Sequence, residues 1–559
     1  LLAGIDTVTV IAQDNTNAGA ADSTYTTALT NARATTTVNI NSLSTVESGA
    51  NDDTLADISV SAAVDGAADT VNLVMGTATA SSGADSIQVT LAAANTGPQG
   101  EMLLNVTASD AETINVTSQG GANQMGSLDA ADLTTFTVSG AKSFTMGALT
   151  NTTLLASVDA SDLTGTAALV MGTNASTTAG VYTGSAGADT LVGSTKADTI
   201  TGGAGIDTIT GGTGGDTVHG GAGADIIVGG LGGDTLNGDA GDDDFQHATL
   251  NLTALDTIDG GTGANKITMT NSATVIDADF TNVTNIQTIA FDDAIAALTL
   301  GTLATSSGIV KVTTAADGVA NSASTLAAGY TSDVAFTLNG NNDDITATAY
   351  TGALTATADI DDITTDDDII GGTGSDTLVV TLDGATDTAL ASGDVDGILN
   401  FETIQIGSNA AAGITLGDAN IASGKSMTID GTKITGSGNA LTVVASLEAD
   451  GALTVLGGSG GDVITGTSSV LGDTLKGNAG NDTFNFATAN FTTLDSVDGG
   501  AGTTDTINIS DAATVVDADF TNVTNVEKLT GAAALTVTIG DVAQAAALTT
   551  ISSVGALTL

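Results

Sequence analysis

GSAGADTLV GSTKADTIT GGAGIDTIT GGTGGDTVH GGAGADIIV GGLGGDTLN GDAGDDDFQ, residues 184–246, is seven units of nine residues without a slip. Asp recurs at Asp189, Asp198, Asp207, Asp216, Asp225, Asp234 and Asp243. An apolar residue follows two places later, at Leu191, Ile200, Ile209, Val218, Ile227, Leu236 and Phe245. The last three residues of each unit, TIT or TVH, read as a short strand with its middle side chain turned inward. Two units then close one turn of a right-handed parallel β-roll, and the apolar residues stack from coil to coil at ~4.8 Å.

Outward from this array the pattern recurs in pieces. A second array runs GGSGGDVIT, an irregular GTSSVLGDTLK and GNAGNDTFN from Gly457, with Asp462, Asp473 and Asp482; a lone GGTGSDTLV at 371–379 carries Asp376. Segments after the arrays are copies: VIDADFTNVTNIQTI (275–289) matches VVDADFTNVTNVEKL (515–529), and DVDGILNFETIQI (394–406) is a weaker version. The first 180 residues alternate apolar and polar residues in runs such as DTVTVIA, ADISVSAAV, DSIQVTLAA and TTFTVSG, the signature of half-buried strands. The expected class is all-β: β-roll or β-solenoid blocks with additional β-rich modules. The expected divisions are 1–182 (β-rich), 183–246 (the roll), 247–370 (β-rich), 371–456 (single unit plus β-rich module), 457–486 (short repeat block) and 487–559 (a duplicate of 247–300). TNVTN is expected to form single turns, and AAALTT near the end a short helix.

Composition narrows the chemistry. With 559 residues, 72 Gly, one Pro, no Cys and 3% aromatics, the chain is too long for one core and lacks large side chains to fill it. Sixty-four Asp plus Glu against nine Lys plus Arg give a net charge of -55, which excludes nucleic acid as a partner. The 41% apolar content and mean hydropathy of +0.27 argue against disorder. No run of 18 apolar residues is present, so no transmembrane segment is expected. The chain opens at Leu1 rather than Met, so a native start or targeting segment is expected to lie outside it. Without cysteine, metal is the substitute staple.

Each unit is built for a hard cation. Glycine at positions one, two and four lets a six-residue turn point its carbonyls inward, and Asp at position six adds a carboxylate. An all-oxygen, flexible cage is what Ca²⁺ prefers. Ions between same-side turns give about five for seven units, and stacked carboxylates at this spacing leave the metal-free array loose or unfolded.

The GGxGxDxUx pattern resembles the RTX repeats of Gram-negative proteins exported by type I secretion. In that family, carbonyls at positions two and four with the Asp face carbonyls at positions one and three with the Asp of the next same-side turn. Carried onto this sequence, the resemblance implies multiple structural Ca²⁺ ions. The best matches are Gly203, Gly205, Asp207, Gly212, Gly214, Asp216, Gly221, Gly223 and Asp225, followed by Gly230, Gly232 and Asp234. Asp189, Asp198, Asp243, Asp376, Asp462, Asp473 and Asp482 complete the candidate ligands. Ser194 and Lys196 weaken the second unit, and the eleven-residue unit around Asp473 breaks register. The stretch from Ser127 to Gly172 is similar to repeats of bacterial S-layer proteins and other large RTX surface proteins.

Catalysis is not expected. HExxH and GxSxG are absent, His219 and His247 read as surface residues, and no amphipathic helix suits pore formation. The acidic runs Asp242–Asp244, Asp343–Asp344 and Asp366–Asp368 read as ligands or solvated turns rather than a glycosidase pair. The expected function is an extracellular, cell-surface structural subunit of a Ca²⁺-dependent S-layer, with a large RTX adhesin or biofilm filament as the alternative. Its expected partner is itself, in a homo-oligomeric lattice or fibre. Cell-surface glycan or lipopolysaccharide would be reached through a region outside this chain.

Overall fold

The computed structural model describes residues 111–559 except 150, 249–250, 294, 316–321, 340–342, 383–388, 392 and 408–409. Before residue 111 it describes the backbone of seven strands, from Thr7–Gln13 to Met102–Thr107, with side chains of the last two in part. The runs DTVTVIA, ADISVSAAV, DSIQVTLAA and TTFTVSG fall on strands Thr7–Gln13, Ala56–Ala62, Ser86–Ala92 and Thr135–Gly140. By its contacts the chain divides into two compact units, Leu1–Thr268 with Asp279–Gln287, and Met269–Ala278 with Thr288–Leu559.

In the first unit, consecutive strands alternate between two parallel sheets. One is a 12-stranded sheet running from Thr26–Ala32 to Val283–Thr284. The other takes the intervening strands, pairing in register from Thr7–Gln13 onward. This is a solenoid in which each coil gives one strand to each sheet. Coils in the nonapeptide array repeat every 18 residues, with Leu191 opposite Ile209 and Ile209 opposite Ile227. Before the array the coils are longer and uneven: Thr37 stands opposite Thr70, and nearer the array Phe136 stands opposite Val158. The ladder passes into the array without a break, since Tyr182 pairs with Ile200 and Leu169–Val170 precedes Thr190 in the opposite sheet.

Alternation decides which side chains go inside. Thr and Val at every second position give strands the buried–intermediate–buried pattern, and the seven apolar residues from Leu191 to Phe245 are all 0% exposed. Each such side chain contributes roughly 1.5–3 kcal/mol relative to exposure, which offsets the ordering of a glycine-rich backbone.

The second unit repeats the parallel coil with longer turns. Thr377–Thr381 pairs with Thr403–Ile406, which pairs with Ser426–Asp430, and six- and seven-stranded parallel sheets form from the intervening strands. Its coils run longer than those of the array, with Asp343 bonded to Asp367 and Ala412 standing opposite Leu441. The additional β-rich modules are thus coils of the same kind whose loops have lengthened.

Helix is confined to short pieces among the described residues, the longest being Thr302–Ser307. In the duplicated segments DADF forms a single 3₁₀ turn, Asp277–Phe280 and Asp517–Phe520; TNVTN follows with the expected turn at its first two residues and then a two-residue strand, Val283–Thr284 and Val523–Thr524. The terminal helix is Asp541–Ala545, which starts four residues before AAALTT and ends on its first alanine. Asp517 explains the shift: its carboxylate accepts from the Gly540 and Ala543 N–H groups at 2.7 and 2.9 Å and caps a helix start that lacks its own side-chain cap. Asp277 does the same for Gly301 and Ala304 at the start of Thr302–Ser307.

Candidate metal centre

The nine-residue spacing stacks every second aspartate on the same side of the roll, and the contact between them is a hydrogen bond. The Asp189 N–H donates to Asp207 Oδ1, Asp198 to Asp216, Asp207 to Asp225, Asp216 to Asp234 and Asp225 to Asp243, at 2.7 to 2.9 Å. Each carboxylate therefore satisfies a backbone donor that the tight turn would leave buried and unpaired. All seven aspartates are nearly or fully buried.

What happens to the second oxygen separates the turns into two classes. Oδ2 of Asp207, Asp216, Asp225, Asp234, Asp243 and Asp482 is buried without any protein donor. Oδ2 of Asp189, Asp198, Asp376, Asp462 and Asp473 is instead taken by an amide of its own turn, from Ser185, Ser194, Gly372, Gly458 and Thr467. The backbone at position two sets the class. Gly203, Gly212, Gly221 and Gly230 have φ between 108° and 117°, and the non-glycine residues Asp239 and Asn478 both stand at 66°. That left-handed conformation rotates the N–H away from the carboxylate. None of Ser185, Ser194, Gly372 and Gly458 adopts it. Serine at position two also donates its hydroxyl, Ser185 to Asp189 and Ser194 to Asp198.

In the open turns the free oxygen faces a small oxygen-lined space. A Cβ placed on Gly220 would lie 2.6 Å from Asp225 Oδ2 and 2.9 Å from the Gly238 carbonyl oxygen. At position four of those turns, Gly205, Gly214, Gly223 and Gly232 also have positive φ, and a side chain there would overlap the carbonyl of the coil before. Orphaned buried carboxylate oxygens, stacked carbonyls and an absence of cationic partners at these oxygens fit a hard divalent cation, and Ca²⁺ above all. Asp207 with Gly203 and Gly205, Asp216 with Gly212 and Gly214, Asp225 with Gly221 and Gly223, Asp234 with Gly230 and Gly232, Asp243 with Asp239 and Gly241, and in the second unit Asp482 with Asn478 and Gly480, are sets that could hold one.

The ladder extends beyond the nonapeptides. Asp234 N–H donates to Asp256, Asp243 to Asn265 and Asn265 to Gln287; in the second unit Asp343 donates to Asp367, Asp376 to Glu402, Asp473 to Asp495, Asp482 to Asp505, and Asp505 to Glu527. Apart from Asp343 and Asp367, which lie in the acidic runs, sequence reasoning missed these residues, although each stands two places before an inward apolar residue, as in Asp256-Thr-Ile258, Glu402-Thr-Ile404 and Asp505-Thr-Ile507. Asp505 is of the open kind: it is buried, its Oδ2 is unpaired, and Gly500 at position two has φ 90°. Asp376, the aspartate of the lone unit, is an ordinary rung with both oxygens bonded. Asp473 also keeps its rung despite the longer unit, which accommodates its extra residues by turning Val470 out to solvent.

His247 is not a surface residue. It ends strand Asp244–His247 on the same inward side as Phe245, is 1% exposed, and burial lowers its pKa. His219 is half exposed beside Asp239, at 3.2 Å. Of the acidic runs, Asp244 pairs with Lys266 at 3.1 Å, and Asp367 is the rung under Asp343.

Against this geometry, the family model of the RTX calcium-binding nonapeptide repeat (4 copies) matches residues 183–218, 210–245 and 456–487. The chain thus carries RTX nonapeptide repeats of the calcium-binding kind within a parallel β-solenoid. No curated protein matches it. RTX repeat proteins are typically secreted, and no helix among the described residues is long and apolar enough to cross a membrane.

Burial, reinforced by neighbouring carboxylates and opposed by the amide hydrogen bonds, pushes Asp207 and Asp482 up to about 7 and Asp216 and Asp243 up to about 6. Without metal these groups take up protons on folding. Their stabilising contribution is complete below the ordinary value of 3.8 and is lost as pH rises through 6 to 7. Melts of Ca²⁺-stripped protein should therefore show stability falling from about pH 4 to about pH 7, with Ca²⁺ affinity rising over the same range. A flat metal-free profile would contradict the buried-carboxylate assignment. Ser185→Gly should lower the cost of turning position two left-handed when a cation binds, ~1–2 kcal/mol, and tighten Ca²⁺ binding at the first turn about five- to thirtyfold in calorimetric titration. An unchanged isotherm would refute position two as the determinant.

Proposed function

We propose that the chain is a structural subunit of a Ca²⁺-dependent S-layer, exported by type I secretion and folded only outside the cell. The observation that carries this reading is the column of buried, unpaired carboxylate oxygens on Asp207, Asp216, Asp225, Asp234 and Asp243, one per open turn. Such a column repels itself until cations enter, so a Ca²⁺-poor cytosol keeps the chain extended and an external medium rich in Ca²⁺ completes the coils. About five structural ions in the first array follow from one per open turn.

Assembly into a lattice is supported by the charge of -55 against only nine basic residues, which leaves divalent cations as the available bridges between copies. The reading is non-catalytic, and it is supported by the carboxylates of the ladder, which accept backbone donors and would spend their second oxygen on a cation. Cell-surface glycan or lipopolysaccharide would be engaged by a region outside this sequence.

Electron microscopy of the purified chain in millimolar Ca²⁺ should show a two-dimensional lattice that dissolves on EGTA addition. Isolated fibres would favour an adhesin or filament, and dispersed monomers at high Ca²⁺ would overturn assembly altogether.

A further inference from the structure

Outside the aspartate ladder, a second kind of carboxylate cluster lies where two consecutive coils of the second unit turn. Strands Ala412–Thr415 and Leu441–Val444 pair in parallel, Ala412 opposite Leu441 and Thr415 opposite Val444. The chain leaving the first strand carries Asp418, and the chain leaving the second carries Glu448 and Asp450. One carboxylate oxygen of each lies within 4.8 Å of the others. Neither segment follows the nonapeptide pattern, and both lie outside the matched repeats.

Glu448 makes this more than an acidic surface. It is 0% exposed, and its Oε1 accepts from the N–H groups of Asp450 and Gly451 at 3.0 and 2.8 Å, which fixes the side chain. Its Oε2 is buried with no hydrogen-bond donor. Asp418 Oδ1 accepts from the Ala449 N–H at 2.9 Å, a bond across 31 residues that holds the two turns in apposition. Among the described residues no Lys or Arg forms an ion pair with any of the three; the ion pairs are His219–Asp239 and Lys266–Asp244. A buried carboxylate oxygen without donor or counter-charge is expensive, and two exposed carboxylates beside it offer both further ligands and a route of entry.

We propose that Asp418, Glu448 and Asp450 form a divalent cation site, selective for Ca²⁺, that staples consecutive coils outside the RTX repeats. Glu448 Oε2 is the inner ligand, Asp418 and Asp450 bind from the solvent side, and water completes the shell. All-oxygen ligation by three carboxylates, with no nitrogen or sulfur donor in the cluster, excludes the softer metals.

The test uses the full chain in Ca²⁺. Glu448→Gln keeps the amide-accepting oxygen and removes the charge; Asp450→Asn alters an exposed group and leaves the fold intact if the first variant does not fold. Native mass spectrometry should count one Ca²⁺ fewer in each variant. Hydrogen exchange should show that Ca²⁺-dependent protection of 445–451 is lost while that of 199–243 is retained. An unchanged ion count with unchanged protection of 445–451 in Asp450→Asn would overturn the site.

Discussion

The hydrogen bond from one aspartate's backbone N–H to the carboxylate of the aspartate one coil later is the contact on which the solenoid depends. It solves a problem particular to tight parallel coils, where the turn between strands leaves a buried amide with no strand partner. A carboxylate supplied by the neighbouring coil is a strong acceptor and fixes the vertical spacing of the stack. It also brings a charge into the interior. Asp207 lies between Asp189 and Asp225, whose charges add to the burial that raises its pKa.

The duplicated segments separate these two consequences. In one copy the rungs are Asn265 and Gln287; in the other the corresponding rungs are Asp505 and Glu527. The amide bond is kept at 2.7 to 2.9 Å in both, so the coil needs the acceptor and not the charge. Charge with a free second oxygen is reserved for turns whose position two is left-handed, as at Gly500 before Asp505. Hydrogen-bonding capacity holds the coils in register, and the open oxygens add a dependence on cations to some of them.

Much of this was legible in the residues. The strict period gave the roll and its inward row from Leu191 to Phe245, because a nine-residue spacing with Asp and an apolar residue in fixed phase has few other physical solutions. Ser194 stood out in the second unit, and in the structure its amide and hydroxyl both donate to the Asp198 carboxylate. Less visible were the rungs outside the arrays. Asp256, Glu402 and Glu527 sit in coils of 22 and 26 residues, where loop insertions hide the period although the acceptor stays two places before the apolar residue. His247 was misread because strand alternation continues one step beyond the repeat. The difference between Gly203 and Gly372, the same residue in the same motif position, lies in φ alone and leaves no trace in composition.

The claim at the centre is that cations enter only beside carboxylates whose second oxygen is free. Crystals of the Ca²⁺-loaded chain, with anomalous difference maps phased on the protein, test it most directly. The account predicts peaks beside Asp207, Asp216, Asp225, Asp234, Asp243, Asp482 and Asp505, and none held by Asp376, where both oxygens are bonded to amides. Ordered coils at 199–240 with no peak between successive open turns would contradict it.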